Sequence, residues 1–487
     1  MAFQSLGWLS FFEQAYLKNL AAACIIRVAM TFSPVPPAAR ILTALLCGCA
    51  ALSGCATFSR DGGFDTVAAA ARTDLGLEVR WPRTAQERAK SEAQVAALLA
   101  QPLKPDDAVQ VALLNNHALQ ASFQELGVSE ADLVQSGRLP NPRFTLRRSS
   151  ADGLYDIEET LTFNVLSLIT APYAHSIEQR RFSQVKNTVI VQVVQLADRT
   201  RTAYYTALAA RDSLHYAWQV KNAAQTSAEL AKRMLSAGNW NRLDQARQQG
   251  FYQQALQQLA HAQLADEAAR AELSRLLGIA DAGTTVNLAE RLPDLPHNLV
   301  ELPNMEESAL QNRIDLQIMR AEMDELARRL KLTKATRFVN VLEAGPTRVR
   351  NGPRQYPFET GYELSLEVPI FDTGEPRVRK SEALYAQSAE RFAQAAIDAR
   401  ADVVKAEAQY RATFEMAVRE RDDIMPTRKS IAEQDLLRYN ASLVSVFELL
   451  ADARDRIASV NDYIERVRDF WIAKSHLDTA LIANPAP

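Results

Sequence analysis

Between Tyr173 and Ala237 the chain has neither glycine nor proline, and apolar or small residues return at alternating three- and four-residue steps. The seam runs through Ile190, Val193, Ala197, Thr200, Tyr204 and Ala207, with Leu214 and Trp218 in phase. Such alternation is the mark of a coiled coil, because it keeps one edge of a helix against its partner. At 1.5 Å per residue the helix is expected to be roughly 90–100 Å long, beyond what a compact domain uses. It must bridge a distance or line a tube.

Gly238 interrupts this run at Ala237-Gly238-Asn239, and helical patterning resumes from Leu243 to Leu277 before Gly278, which is placed to cap it. The pair reads as a long antiparallel hairpin. A second hairpin is expected where residues 377–440 carry Phe392, Ala396, Ala399, Val403, Ala406 and Tyr410. Past Ala441-Ser442 its return helix shows Leu450, Ala453, Ile457, Val460, Ile464, Val467 and Trp471. Pro426 falls within the ascending helix, where it should remove a hydrogen bond and bend the chain. The halves are related in sequence: Ala112-Leu113, Asn115 and Leu119-Gln120 recur at a fixed offset as Ala309-Leu310, Asn312 and Leu316-Gln317. Residues 281–303, with Pro293, Pro296 and Pro303, separate them. Each half is expected to open with one short helix, over 106–135 and 305–333.

Between that short helix and the hairpin, each half contains a strand pair. Residues 142–148 and 158–165 flank Ser149-Ser150-Ala151-Asp152-Gly153, with Leu161, Phe163 and Val165 alternating against Thr162 and Asn164. Residues 338–348 and 361–368 flank Gly352-Pro353, with Tyr362, Leu364, Leu366 and Val368 facing one way and Glu363, Ser365 and Glu367 the other. The pattern fits a soluble, half-buried sheet or a membrane strand. Four strands cannot close a barrel wide enough to span a bilayer, whereas three copies supply twelve. If the strands enter a membrane, the sequence asks for a trimer, with apolar residues towards lipid and the polar set towards a wet lumen.

The cysteines Cys24, Cys47, Cys49 and Cys55 all fall at or before residue 55. The apolar run 41–51 follows Arg40 and closes on Leu52-Ser53-Gly54-Cys55, which reads as a lipoprotein signal too short to span a membrane. Cleavage before Cys55 is expected to leave its thiol to carry lipid, and Met30 is the expected translation start, because residues 1–29 match neither a targeting segment nor a domain. The mature chain then has no thiol for a disulfide or a thiolate metal site. The formal net charge of −3 comes with interspersed signs, which argues against nucleic acid. His117, His175, His215, His261, His297 and His476 lack paired ligand spacing, and neither a phosphate-binding loop nor a Gly-x-Ser-x-Gly elbow is present. No cofactor, metal or catalytic residue is expected. No eighteen-residue apolar stretch follows Cys55, so deeper membrane insertion must use strands.

Taken in order, these features resemble the TolC-like outer-membrane efflux family. The strongest local match is Pro369-Ile370-Phe371-Asp372-Thr373-Gly374 at the strand-to-helix junction of the second half, supported by Leu139-Pro140-Asn141-Pro142, the two-fold repeat and the turns near Gly238 and Ala441. Pro369 can end a strand, Asp372 can bond nearby amides, and Gly374 can take a backbone conformation closed to other residues. The corresponding junction of the first half, residues 166–173, has Pro172 but no Asp-x-Gly.

The resemblance covers roughly residues 105–482. It implies a mainly α fold with a small β part: a trimeric α-helical barrel plus a 12-stranded transmembrane β-barrel, each protomer giving four strands and two long helical hairpins. On this reading residues 1–54 are the signal region, 55–104 a lipidated linker, 105–290 and 305–482 the two repeats, 291–304 a linker and 483–487 a tail. The implied function is a passive exit duct in the cell outer membrane, fed by an inner-membrane efflux pump through a periplasmic adaptor protein, with outer-membrane lipid around it. Adaptor docking falls on Ala237, Gly238 and Asn239 and on Ala441, Ser442 and Leu443, with Trp240 beside the first tip either an anchor or internal packing. Asp244 and Glu448, just beyond the turns, either ring a narrow aperture or simply solvate a helix. Arg147, Arg148, Arg348, Arg350 and Arg354 contact lipopolysaccharide phosphates, sit in the barrel mouth or are ordinary loop residues. The competing class is a non-channel helical periplasmic lipoprotein or adaptor scaffold.

Overall fold

The continuous apolar seam becomes a single helix of 72 residues, α5 (Val165–Ser236), about 110 Å long. Ile190, Val193, Ala197, Thr200, Tyr204 and Ala207 are all buried along it. Further on the seam opens: Leu214 is half-buried and Trp218 is exposed. This computed structural model describes residues 57–151, 154–279, 286–301, 303–353, 355–441, 443–444 and 446–484. Cys55, Asp152, Gly153, Arg354, Ser442 and the side chains of Glu448, Leu450 and Ala453 lie outside the described residues.

Ahead of α5 come α1 (Phe64–Leu75), α2 (Ala85–Leu99), α3 (Pro105–Asn115), α4 (His117–Ser136), β1 (Arg143–Ala151) and β2 (Leu154–Asn164). After it, α6 (Arg242–Leu277) completes the first hairpin, packing along α5. The second half repeats the order with α7 (Met305–Asn312), α8 (Ile314–Ala335), β3 (Leu342–Gly352), β4 (Glu359–Leu366), α9 (Glu375–Arg419), a π-helical turn (Glu420–Ile424), α10 (Met425–Asn440) and α11 (Val446–Ile482). The core lies where α3, α4, α5, α6 and α11 meet, around Phe123, Tyr204, Leu208, Leu277 and Phe470. Tyr204 donates to the Leu103 carbonyl at 2.7 Å, and Trp471 donates to the Pro293 carbonyl at 3.0 Å. The proline-marked segment is therefore packed, with Leu288, Leu292 and Leu295 buried.

Each expected short helix is in fact two, and the break falls at equivalent residues. Asn116 leaves the helical region at ψ 115 and caps α4 through Leu119 N–H at 3.1 Å. Its amide also donates to the Leu276 carbonyl at 2.9 Å, while Asn115 reaches Leu277 and Gly278. The two asparagines thus satisfy the last carbonyls of α6, which have no partner within the helix. Arg313 occupies the matching break in the second half and donates to the Ala480 carbonyl near the end of α11. In both halves the kink in the opening element closes the end of the returning helix.

The structure resolves the proline at 426 by changing the helix type. Pro426 has no N–H for the carbonyl four residues back, and the wider turn over Glu420–Ile424 sits just before it. Glu420, at the start of that turn, is buried, and its Oε1 has no hydrogen-bond partner. Burial raises its pKa, the negative charge of Asp462 adds to the effect, and Arg466 and Arg428 oppose it. Because the folded value lies above the unfolded one, this carboxyl favours folding when protonated and costs stability as pH rises through its folded pKa. Glu420→Gln is therefore expected to melt higher than the parent at neutral pH. The difference should shrink on acidification and vanish below the ordinary glutamate range, which a series of melting curves in detergent at stepped pH will check.

Candidate functional site

The four strands form one antiparallel sheet in the order β1-β2-β3-β4. Its register sorts the side chains cleanly. Thr160 lies in one cross-strand row with Thr347 and Gly361, and Asn164 faces Glu343, which faces Ser365, so Thr162 and Glu363, each between two of these on its own strand, share their face. The residues expected to line a lumen therefore share a face, together with Arg143, Arg147, Glu158 and Thr347. That face is tied by polar contacts: Thr160 Oγ1 to Thr347 Oγ1 at 3.0 Å and Arg147 to Glu158 at 3.1 Å. Thr160 is only 3% exposed.

The other face carries Phe144 and Leu146 of β1, Leu161 and Phe163 of β2, and Tyr362, Leu364 and Leu366 of β4. Here Tyr362 is 93% and Leu364 70% exposed. On the inner strand β2 the polar Thr160 and Thr162 are covered, while on β1 and β4 large apolar groups are bare, the reverse of a sheet folded for water. Leaving such a side chain in water forgoes roughly 1.5–3 kcal/mol each. Three of the strands, at 9, 11 and 11 residues, reach what a tilted strand needs to cross a bilayer, and β4, at 8, falls just short. With β1 and β4 at the ends of the order, one edge of each is unpaired within the chain. Among the described residues no helix is long and apolar enough to cross a membrane.

Both junctions from strand to long helix carry a side-chain hydrogen bond to a nearby backbone amide. At the second, Asp372 Oδ1 accepts from Gly374 N–H at 2.8 Å, and Gly374 sits at φ 74 before α9. Pro369 lies past the end of β4, and Phe371 is wholly exposed beside Ile370 and Val368. At the first junction Asn164 does the same work, accepting from Ser167 N–H at 2.8 Å. That cap lets α5 begin at Val165, earlier than the proline suggested, with Pro172 inside the helix. Ile169 and Tyr173 are exposed there, so both junctions present apolar groups at the same end of the sheet.

At the first hairpin tip Ala237 caps α5, Gly238 has φ 76, and Asn239 N–H reaches back to the Met234 carbonyl at 3.0 Å. Asp244 is held by Asn241, through its N–H at 2.8 Å and its carboxylate at 2.7 Å, and by Arg247 at 3.5 Å. At the second tip Ala441 and Leu443 close the last turn of α10, and Leu443 is exposed. Leu230, Leu243, Leu436 and Leu437 are exposed around the two tips as well. Among the described residues no group of three or more His, Cys, Asp or Glu side chains is arranged to hold a metal ion.

No family model matches the chain and no curated protein does. Solved structures do match it, channels of the outer membrane among them. The outer-membrane channel OprN aligns at TM-score 0.66 and 17% identity, over 80% of this chain and 91% of that one. The Campylobacter jejuni CmeC outer membrane channel aligns at 0.65 and 12%, over 83% and 89%. CusC, whose structures describe conformational changes accompanying folding and transmembrane channel formation, aligns at 0.65 and 17%, over 80% and 92%. The chain thus has the fold of the TolC-like outer-membrane channels, mainly helical with a small antiparallel sheet.

Proposed function

We propose that the chain is one subunit of a trimeric exit duct of the outer membrane, passing substrates outward from an inner-membrane pump by way of a periplasmic adaptor. The sheet supports this reading: an exposed apolar face, an opposite face of polar residues and two open edges are what one third of a twelve-stranded barrel presents before closure. Helices of about 110 Å give the tube a reach suited to a periplasmic conduit. Lipid on Cys55 would serve delivery and tethering, since a single lipid attachment holds weakly beside twelve strands. The tips at Ala237, Gly238, Asn239, Ala441, Ser442 and Leu443 would meet the adaptor. Asp244, already oriented by Asn241 and Arg247, and Glu448 at the equivalent place would give rings of negative charge favouring cations.

The test is extraction and crosslinking of a Cys55→Ala variant, which removes the lipid without touching the sheet. A crosslinked trimer that still needs detergent for release, and that conducts ions in a planar bilayer, is the expected result; a monomer freed without detergent overturns the reading. For the tips, Gly238→Trp is informative, because a Cβ there meets no atom within 4 Å and the strain at φ 76 stays in the turn. Export is expected to fall on the order of tenfold, as the loss of an interface anchor implies, while the unheated trimer persists on gels. Unchanged export would count against docking at this tip.

A further inference from the structure

The apolar face of the sheet carries three arginines that a purely lipid-facing surface does not explain. Register places Arg148, Arg348 and Arg350 on it, whereas Arg143 and Arg147 lie on the polar face. Arg148 and Arg350 flank Ile157 in one cross-strand row, so their backbones stand about 10 Å apart, two strand spacings. Arg348 follows two residues from Arg350 on β3. All three lie at the hairpin end, remote from the helices.

Aromatic rings mark the same level. Arg148 lies 5.1 Å from the centre of Tyr155, and Arg350 and Arg348 lie 4.8 and 5.4 Å from that of Phe358. Tyr356, beside Gly352, is exposed there too. Rings of this kind girdle membrane barrels at the boundary between hydrocarbon and water, where lipid phosphates lie. Among the described strand residues, the only carboxylate on this face is Glu159, and it pairs with Arg348 at 2.5 Å. The strip therefore carries more positive than negative charge at the depth of anionic headgroups. Guanidinium suits that partner because its fork binds phosphate through two parallel hydrogen bonds.

We infer that Arg148 and Arg350, with Arg348 beside them, hold the phosphate groups of the phosphorylated glycolipid in the outer leaflet. The inference rests on the outer-membrane reading above. Purified full-length protein in detergent would be mixed with bisphosphorylated lipid A, and the bound lipid counted by native mass spectrometry. Three variants would be run beside it: Arg148→Gln with Arg350→Gln, the same pair changed to Lys, and Arg147→Gln from the opposite face.

The glutamine pair is expected to lose about tenfold in retained lipid, the lysine pair to lose less, and Arg147→Gln to match the parent. Equal retention by the glutamine pair overturns the site, as does equal loss in Arg147→Gln. Full competition by inorganic phosphate, with no preference for the lipid, also overturns it by reducing the strip to a general anion surface. A parent that forms trimers and conducts yet retains no lipid A defeats this site alone. One that neither assembles nor inserts defeats the duct reading with it.

Discussion

Arg313→Ala is expected to destabilise the helical part of the molecule by about 3 kcal/mol, the cost typical of breaking a buried charge pair. Arg313 is 1% exposed and sits where the second half breaks between α7 and α8. Its guanidinium meets both Asp315 oxygens at 3.1 and 2.7 Å, Asp402 at 3.3 Å, and the Ala399 and Ala480 carbonyls at 3.4 Å. One side chain thus fastens the opening element to α9 and to the end of α11. Removing it leaves two carboxylates and two carbonyls without their donor. Both aspartates keep some contact with water, which holds the loss near the lower end of the range for buried pairs. Arg313→Met with Asp315→Asn and Asp402→Asn should cost clearly less than Arg313→Ala alone, because the combined change removes the charge of the cation and of both its partners and keeps the volume. Denaturant melts of the detergent-solubilised protein will separate the two; an equal loss would make packing, rather than charge, the cause. Asn116→Ala, at the matching break, is expected to cost only about 1–2 kcal/mol, since caps and not ions are lost there.

Gly374→Ala should be the most damaging small substitution at the strand-to-helix junction, at about 2–5 kcal/mol. The φ of 74 alone costs roughly 1–2 kcal/mol for a residue with a Cβ. The added carbon would also lie inside contact distance of the Arg337 carbonyl, a backbone atom that cannot swing away, and such overpacking adds roughly 1–3 kcal/mol. Gly238→Ala is the natural control. It shares the positive φ, at 76, but opens onto space, so it should show the conformational cost alone. If the chain assembles as the proposed trimer, an unheated gel reads the consequence: Gly374→Ala is expected to lose the trimer band and Gly238→Ala to keep it. Similar behaviour of both would mean that the close approach to Arg337 does not matter.

The long helices were legible because their physics is local. A residue's chance of joining α5 depends on its neighbours three and four places away, and Ile190 to Ala207 repeat that spacing without a break. The bond from Gly374 N–H to Asp372 was legible for the same reason, being a contact two residues long. The paired breaks at Asn116 and Arg313 were not. Nothing in the neighbourhood of Arg313 announces that its partners lie at Asp402 and Ala480, and an arginine inside helical patterning passes for a surface charge. The Asn164 cap did carry a local signal, an asparagine before a helical run, but Pro172 eight residues on is an equally good mark of a helix start.

The strands divide along the same line. Alternation within β2 and β4 assigned two faces to each, but only the pairing of Thr160 with Thr347 and of Thr347 with Gly361 makes those faces one surface, and only the pairing of β1 with β2 puts Arg147 on its polar side and Arg148 on its apolar side. A strand's period of two fixes which residues go together, and a one-residue shift in register would exchange them. Sequence alone therefore determined the long helices, the turns that join them and the alternation of the strands, all set by contacts within a few residues. Tertiary structure decided which faces combine, where the opening helices break and which buried cation fastens the second half, because those outcomes depend on groups brought together from distant parts of the chain.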